Sequence, residues 1–333
     1  MKSLLPLLIA FIFLGCEEPA PQLHILEGEA LGTSYHVKFY GEVDSATVKF
    51  DSVINTINAT FSTYIPNSRI SKINHGDSTI VANAMFKEVM ALSKTVYQNS
   101  GGYYDPTVGK LVNAYGFGPE GKIEELDSIT VDSLKQFVGL DKVGISANGL
   151  VVKDIPGVYL DFNSIAKGYC IDRIGKMLED NGVTDYLVEL GGELLARGKN
   201  LDRDQAWAVG IENIDAPVDD RSYTRVVALQ DMGMAGSGNY RKYRIDPATG
   251  NKYVHTINPL TGKAEKSDIL SSTVIASTCA EADAYATTFM AMGIERSKKL
   301  LQKLEGVEAY LMYAEGNETN IYMTPGFKKY LKD

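Results

Sequence analysis

The stretch YLDFNSIAKGYCIDRIGKMLEDNGVTDYLVELGGELLARG, residues 159–198, decides the fold class. A strand-like run ends at Asp161, and from about Ser164 to Leu178 the pattern is that of a helix. A strand pattern follows at 186–190, and Gly191-Gly192 lies between two strand-like runs. The chain on either side continues the mixture. His24 to Tyr40 alternates around a turn at Gly32, and Ala46 to Phe61 places Val48, Phe50, Val53, Ile54, Ile57 and Phe61 at helical spacing. Ala84 to Tyr97 reads as a second amphipathic helix, ended by Ser100-Gly101-Gly102. Residues 119–134 are charged and lack periodicity, which reads as a surface excursion. Short strands are expected at 141–145, 150–153, 206–211 and 225–230, and a Gly/Ser loop at 235–243. Ser272 to Ala276 is strand-like, Cys279 to Met290 and Leu300 to Leu304 helical, and Val307 to Tyr313 and Asn320 to Met323 strand-like. Strands and helices alternate without regular βαβ units, so the reading is α+β: a mixed sheet with packed helices, in one large domain or two lobes over 24–333.

The N-terminus sets the compartment. Lys2 is followed by an apolar run from Leu4 to Leu14, broken only by Pro6, then Gly15-Cys16 and the polar stretch Glu17-Glu18-Pro19-Ala20-Pro21. The run is shorter than the roughly 20 residues a spanning helix needs and has the length of a signal-peptide core. Residues 1–15 are therefore expected to be a lipoprotein signal peptide, Cys16 a diacylated (palmitate-type) anchor, and 16–23 a tether. Phe13 departs from the usual Leu of a lipobox, and an ordinary secretory signal that happens to contain a cysteine is the alternative. A net charge of −9 argues against nucleic acid and against electrostatic adhesion to anionic lipid. Besides Cys16 only Cys170 and Cys279 occur, which is no disulfide framework, and no Cys/His spacing suggests zinc.

Several segments are suited to chemistry, although each is also what ordinary packing produces. In CAEADAYATTFMAMG, residues 279–293, Asp283 and Thr287 are four apart on a helix kept thin by alternate alanines, and offer two hard oxygens suited to Mg²⁺. Asn163-Ser164 leads into a helix whose first turn carries Lys167, an arrangement suited to phosphate; the plain alternative is a cap. Residues 101–118, with Asp105-Pro106-Thr107, supply four aromatics after a double glycine, as for a flat ring ligand or a packed turn. His255 precedes the turn residues Asn258-Pro259 and Thr261-Gly262 and is placed to act as a general base or to serve structurally. Gly191-Gly192 and the loop from Ala235 match neither a P-loop nor a dinucleotide fingerprint.

The order of these segments resembles the ApbE family of flavin transferases over essentially the whole mature chain. The resemblance is carried by Gly32-Thr33-Ser34-Tyr35, by FSTYIPNSRISKIN at 61–74, by the Asp-Pro-Thr and Tyr-Gly-Phe stretch at 105–117, and by Ile165-Ala166-Lys167-Gly168-Tyr169 with Asp172. It continues through Leu190-Gly191-Gly192-Glu193, Trp207 with Gly210-Ile211-Glu212, Ser237-Gly238 with Tyr240, His255 with Pro259-Thr261-Gly262, and Ala282-Asp283-Ala284 with Thr287. It implies Mg²⁺-dependent transfer of FMN from FAD onto a Ser/Thr hydroxyl of an exported redox protein, at a Ser/Thr-Gly-Ala-Thr-like stretch, with AMP released. By residue matching it implies metal ligands at Asp283, Thr287 and the Ala166 carbonyl. It implies FAD contacts from Thr33, Tyr64, Ser68, Tyr104, Asp105, Thr107, Ala166, Lys167, Gly191, Gly192, Glu193, Ser237, Gly238, His255 and Thr261. Tyr64 and Tyr104 are the candidates for the flat-ring faces, and His255 and Lys167 join Asp283 as the catalytic set. Asn163, Gly236, Asn239 and Asn258 depart from the residues common in the family, and two of these remove a carboxylate while keeping an acceptor. Cys170 and Cys279 flank the proposed metal segments and are expected either to pair or to remain two buried thiols. Two other functions fit the same residues: a Mg²⁺-dependent FAD pyrophosphatase giving FMN and AMP, and a non-catalytic lipoprotein that carries FAD.

Overall fold

The computed structural model describes residues 21–332 except 125, 215, 217–221, 239–242, 246–251 and 265–266, and gives the backbone alone for 243–245 and 252–253. The N-terminal hairpin pairs β1 (Leu23–Ala30) with β2 (Thr33–Tyr40). Then come α1 (Ala46–Phe61), α2 (Arg69–Asn74), α3 (Ala84–Ser100), α4 (Gly109–Ala114) and α5 (Ser128–Lys135). A small hairpin of β3 (Val143–Ile145) and β4 (Val151–Lys153) leads to α6 (Ala166–Glu179), β5 (Tyr186–Leu190) and β6 (Glu193–Arg197). After β7 (Trp207–Glu212) and β8 (Tyr223–Leu229) the chain forms β9 (Gly233–Gly238) and the hairpin of β10 (Tyr243–Ile245) and β11 (Lys252–Val254). It closes with β12 (Ile269–Ala276), α7 (Cys279–Met292), α8 (Ile294–Leu301), β13 (Glu308–Glu315) and β14 (Glu318–Met323).

Among the described residues the main sheet has eight strands in the order β1-β2-β5-β6-β9-β12-β13-β14, each pair antiparallel. The class is therefore α+β, as the irregular alternation predicts. Period-two alternation gives the sheet two buried faces. Val37, Phe39, Tyr186 and Val188 join the core under α1, α3, α6 and α7, whereas Tyr40, Leu194 and Ile275 turn to the other side, against Trp207, Val227 and Phe327. Leu111, Tyr115, Val131, Ile257 and Ala264 form a small satellite core. The described residues thus pack as two buried clusters on either face of one sheet, with this satellite beside them.

Three expectations need correction. Residues 119–134 are not purely an excursion, because α5 starts at Ser128, capped by the Asp127 side chain accepting the Thr130 N–H. The first part of the supposed loop, 235–238, is strand: β9 pairs with both β6 and β12 inside the sheet, while 239–242 lie outside the described residues. Its glycines mislead because a Cβ on Gly233 would lie 2.4 Å from the Cys279 nitrogen, so close helix approach overrides strand propensity. The tether ends earlier than expected, since β1 begins at Leu23 and the Gly41 N–H donates to the Gln22 carbonyl at 3.1 Å.

Candidate active site

The site grows from the crossing of α6 and α7. Ala280, Ala282, Ala284 and Ala286 are all buried, so α7 is thin enough to lie between the sheet and α6. Gly168 makes the crossing tight: a Cβ there would stand 2.4 Å from the Cys279 carbonyl oxygen. Across this contact Asp172 of α6 accepts the Cys279 N–H at 2.8 Å on one oxygen and the Ala280 N–H at 2.9 Å on the other. One carboxylate thus satisfies two N–H groups at the start of α7, while Thr278 caps Glu281. Asp172 carried no role in the sequence reading; its signal was a carboxylate beside Ile171 on an otherwise apolar helix face.

The crossing sets Asp283 against the first turn of α6. Asp283 is 5% exposed and accepts the Gly168 N–H at 3.1 Å. Burial raises its carboxyl above the usual range, with the Lys167 charge and the Gly168 N–H pulling the other way. Lys167 reaches Glu193 of β6, its Nζ 2.6 Å from Oε2. That contact is an ion pair rather than a well-directed hydrogen bond, because Oε2 has no partner in hydrogen-bond geometry. Burial raises the Glu193 carboxyl and Lys167 only partly offsets it. Burial alone would lower Lys167, but Glu193 and Asp283 outweigh it and hold the ammonium protonated. Gly191, at φ 65°, packs where a Cβ would meet Thr33 at 2.7 Å and Lys167 Nζ at 3.3 Å. Gly192, at φ 100°, donates its N–H to Glu189. Thr33, Lys167, Gly191, Glu193 and Asp283, drawn from four separate parts of the chain, therefore converge.

Other expected residues lie around this cluster. Thr287 is half-buried one turn beyond Asp283 on α7, and Ala166 is the first residue of α6. Ser237 and Gly238 end β9, half-buried, opposite Ser272 and Ser271 of β12. Tyr64 is 59% exposed, with its hydroxyl donating to the Phe117 carbonyl at 3.3 Å, so a ring face is open. His255 is half-buried one residue past β11. Thr261 is exposed in the turn that the Asn258 side chain closes by accepting the Leu260 N–H, and its own hydroxyl accepts the Lys263 N–H. That turn packs near Gly102, where a Cβ would meet Leu260 at 3.2 Å. Asn239, Tyr240 and Cys16 lie outside the described residues.

Four expected contacts are corrected. Tyr104 is 2% exposed, and its hydroxyl is shared with Ser93 and Ser164, so it offers no face for stacking. Asp105 and Thr107 are buried and committed to each other: Asp105 Oδ1 accepts the Thr107 N–H and hydroxyl at 2.8 and 2.6 Å. They also hold the following loop, Thr107 accepting the Gly139 N–H and Asp105 the Leu140 N–H. Ser68 is buried as the cap of α2, accepting the Ser71 N–H and donating to the Ser62 carbonyl. In this structure these side chains are committed to holding their own turns and the loop that follows. Asp161 went unremarked as a site carboxylate; it is buried just before α6, accepts the Asn163 N–H, and its charge acts on Tyr64. Cys170 and Cys279 are both buried and free.

The family model for the ApbE family matches residues 31–311. The chain belongs to the ApbE family. An FAD:protein FMN transferase of Vibrio cholerae is 33% identical over 99% of this chain and 97% of its own length. One from Escherichia coli K12 is 32% identical over 97% and 95%. Among solved structures, the flavin transferase ApbE of Vibrio cholerae superposes with a TM-score of 0.83 at 28% identity, covering 94% of this chain and all of that one. The apo flavinyl transferase ApbE of Pseudomonas stutzeri gives 0.80 at 27%, covering 93% and 97%. The ApbE fold thus sets the frame in which the convergent cluster acts.

Proposed function

We propose that this protein transfers FMN from FAD to a hydroxyl of another protein, with the pyrophosphate held between the first turn of α6 and Asp283 of α7. The observation that carries the reading is the convergence of Lys167, Glu193, Asp283 and Thr33 in a chain that matches flavin transferases over nearly its full length. Lys167 supplies positive charge for a pyrophosphate oxygen, and Glu193 keeps that charge in place. The acceptor Ser or Thr oxygen forms a bond to the FMN-side phosphorus, the bond from that phosphorus to the bridging oxygen breaks, and AMP leaves with the bridging oxygen. His255 takes the hydroxyl proton. The exposed ring of Tyr64 receives a flat face of the dinucleotide.

The residues fit Mg²⁺. The Asp283 carboxylate, the Thr287 hydroxyl one turn on along α7 and the Ala166 carbonyl at the start of α6 are hard oxygens. So sparse a set suits an ion that keeps waters and takes substrate phosphate oxygens. When bound, it stabilises negative charge on the pyrophosphate oxygens. Export and anchoring through diacylated Cys16 to a bacterial membrane, on the periplasmic side or in the cell envelope, and an acceptor with a Ser/Thr-Gly-Ala-Thr-like stretch complete the proposal. Among the described residues no helix is long and apolar enough to cross a membrane.

The test mixes the purified protein with FAD, Mg²⁺ and an acceptor domain carrying such a stretch, and reads intact mass and in-gel flavin fluorescence. A Mg²⁺-dependent FMN adduct, absent with Asp283→Ala, is expected. Accumulation of AMP and FMN without an adduct would replace transfer by hydrolysis, and intact FAD throughout would leave a carrier.

A further inference from the structure

On the sheet face opposite the α6–α7 site, a cavity of about 150 Å³ lies between β2, β5, the 200–206 loop and the C-terminus. It is well above the roughly 10–15 Å³ that admits one water. Among the described residues three cations line it, Lys38, Arg203 and Lys332, together with the amides of Asn200 and Gln205 and the ring of Trp207, and none of the described lining residues is a carboxylate. The two amides are oriented by bonds to their oxygens. Asn200 Oδ1 accepts the Tyr40 hydroxyl and the Arg203 N–H, both at 3.1 Å, and Gln205 Oε1 accepts Lys332 Nζ at 3.2 Å. What each amide has left is its NH₂ donor. Of the carboxylates next to Arg203 in sequence, Asp204 is paired with Lys199, while Asp202 donates its backbone N–H to the Tyr40 hydroxyl at 3.1 Å. Among the described residues the lining is thus rich in donors and carries three cations, of which Lys332 already donates to Gln205, in a chain whose net charge is −9.

We propose that this cavity is a binding site for a phosphate group. Tetrahedral oxyanions accept from several donors at once, and charge-assisted bonds from Arg and Lys are the strongest of these. The site's place suggests the source. Tyr40, whose hydroxyl holds Asn200, pairs with Leu23 at the start of β1, and the Gln22 carbonyl is bonded beside it. With Cys16 anchored as proposed above, the six Cα-to-Cα steps from Cys16 to Gln22 span about 20 Å at most. That range brings the cavity within reach of lipid headgroup phosphates. The alternative source of the same chemistry is soluble phosphate.

Trp207 is the chain's single tryptophan, so its emission reports on this cavity. The full chain, free of FAD and in neutral detergent, is titrated with sodium phosphate at ionic strength held constant with sodium chloride. A saturable change in Trp207 emission is expected, with affinity at least about tenfold weaker in Arg203→Gln and in Lys38→Gln, and with FMN transfer unchanged in both variants. An unsaturable response, or identical titrations for the wild type and both variants, overturns the site. Vesicles of phosphatidylglycerol, compared with phosphatidylcholine, separate the sources: a Trp207 response to the first that free phosphate competes away assigns the headgroup, and a response to free phosphate alone assigns the soluble anion. Because the readout needs no flavin, failure of the transferase reading leaves this test intact.

Discussion

At the scale of single residues, the site depends on charges kept out of water in unequal ways. Glu193 is almost fully buried while Lys167 is more than a quarter exposed, so the carboxylate is the fixed member and the lysine the movable one. Glu193→Gln preserves bulk but removes the countercharge, and Lys167 regains rotamer freedom worth about 1–2 kcal/mol. We expect kcat/KM for FAD to fall roughly 5- to 30-fold, with the thermal midpoint little changed because the ammonium can turn to solvent. An unchanged kcat/KM would detach Glu193 from the reaction. Asp105 makes a prediction of a different kind. Burial pushes its carboxyl from 3.8 up to about 6 against the pull of the Thr107 and Leu140 donors. Since the folded state holds this proton more tightly than the unfolded chain, the group's contribution is full below about pH 4. It declines as pH rises to about 6, by at most about 3 kcal/mol. Calorimetry from pH 4 to 7 should show that slope reduced in Asp105→Asn, and equal slopes would remove Asp105 as its source.

At the scale of elements, the contact between α6 and α7 places the functional groups. Two helices with ordinary side chains would stand farther apart, and Asp283 would not reach the Gly168 N–H. Alanine at position 168 would raise helix propensity by up to about 1 kcal/mol in an isolated helix. Here its Cβ would meet the Cys279 carbonyl oxygen at 2.4 Å and the Ala280 Cα at 2.9 Å. Overpacking of this kind costs about 1–3 kcal/mol, so Gly168→Ala should lower the urea midpoint. A raised midpoint would mean that the crossing is looser than the distances state. These elements were unevenly legible in the sequence. The helix periods of α1, α3 and α6 were readable because each has one buried face. The hydrogen-bonded roles of Asp105, Thr107 and Ser68 were not, since a turn that consumes its own side chains has the same residues as one that offers them to a ligand. Strand β9 was hidden by its glycines, of which Gly233 answers to a helix distant in sequence.

At the scale of the whole molecule, the antiparallel sheet separates two kinds of work. One face carries the helices and the flavin site, and the other carries the β7–β8 hairpin and the phosphate cavity beside the chain's point of entry. An anchor at Cys16 would tether the domain through the short stretch that precedes β1 at the edge of the sheet. Cys16→Ser, expressed in a bacterial host that lipidates exported proteins, should move the protein from the detergent-extracted membrane fraction to the soluble envelope fraction, with FMN transfer retained. Intact mass should lose the acyl groups at the same time. Wild-type protein found soluble with an unmodified thiol would refute the anchor.

The sequence by itself determined the mixed helix and strand content, the absence of βαβ order, the family, and the pairing of Asp283 with Thr287 on one helix face. All of these are local periodicities or collinear motifs, and they survive any arrangement of the elements. Only the tertiary structure decided that Lys167 meets Glu193 beside Thr33, that Asp172 caps a helix more than a hundred residues away, and that Tyr104 is core while Tyr64 is open. It alone assembled three cations around Trp207. Those outcomes depend on which backbones approach closely enough to exclude side chains and water, and that is a property of packing between distant segments.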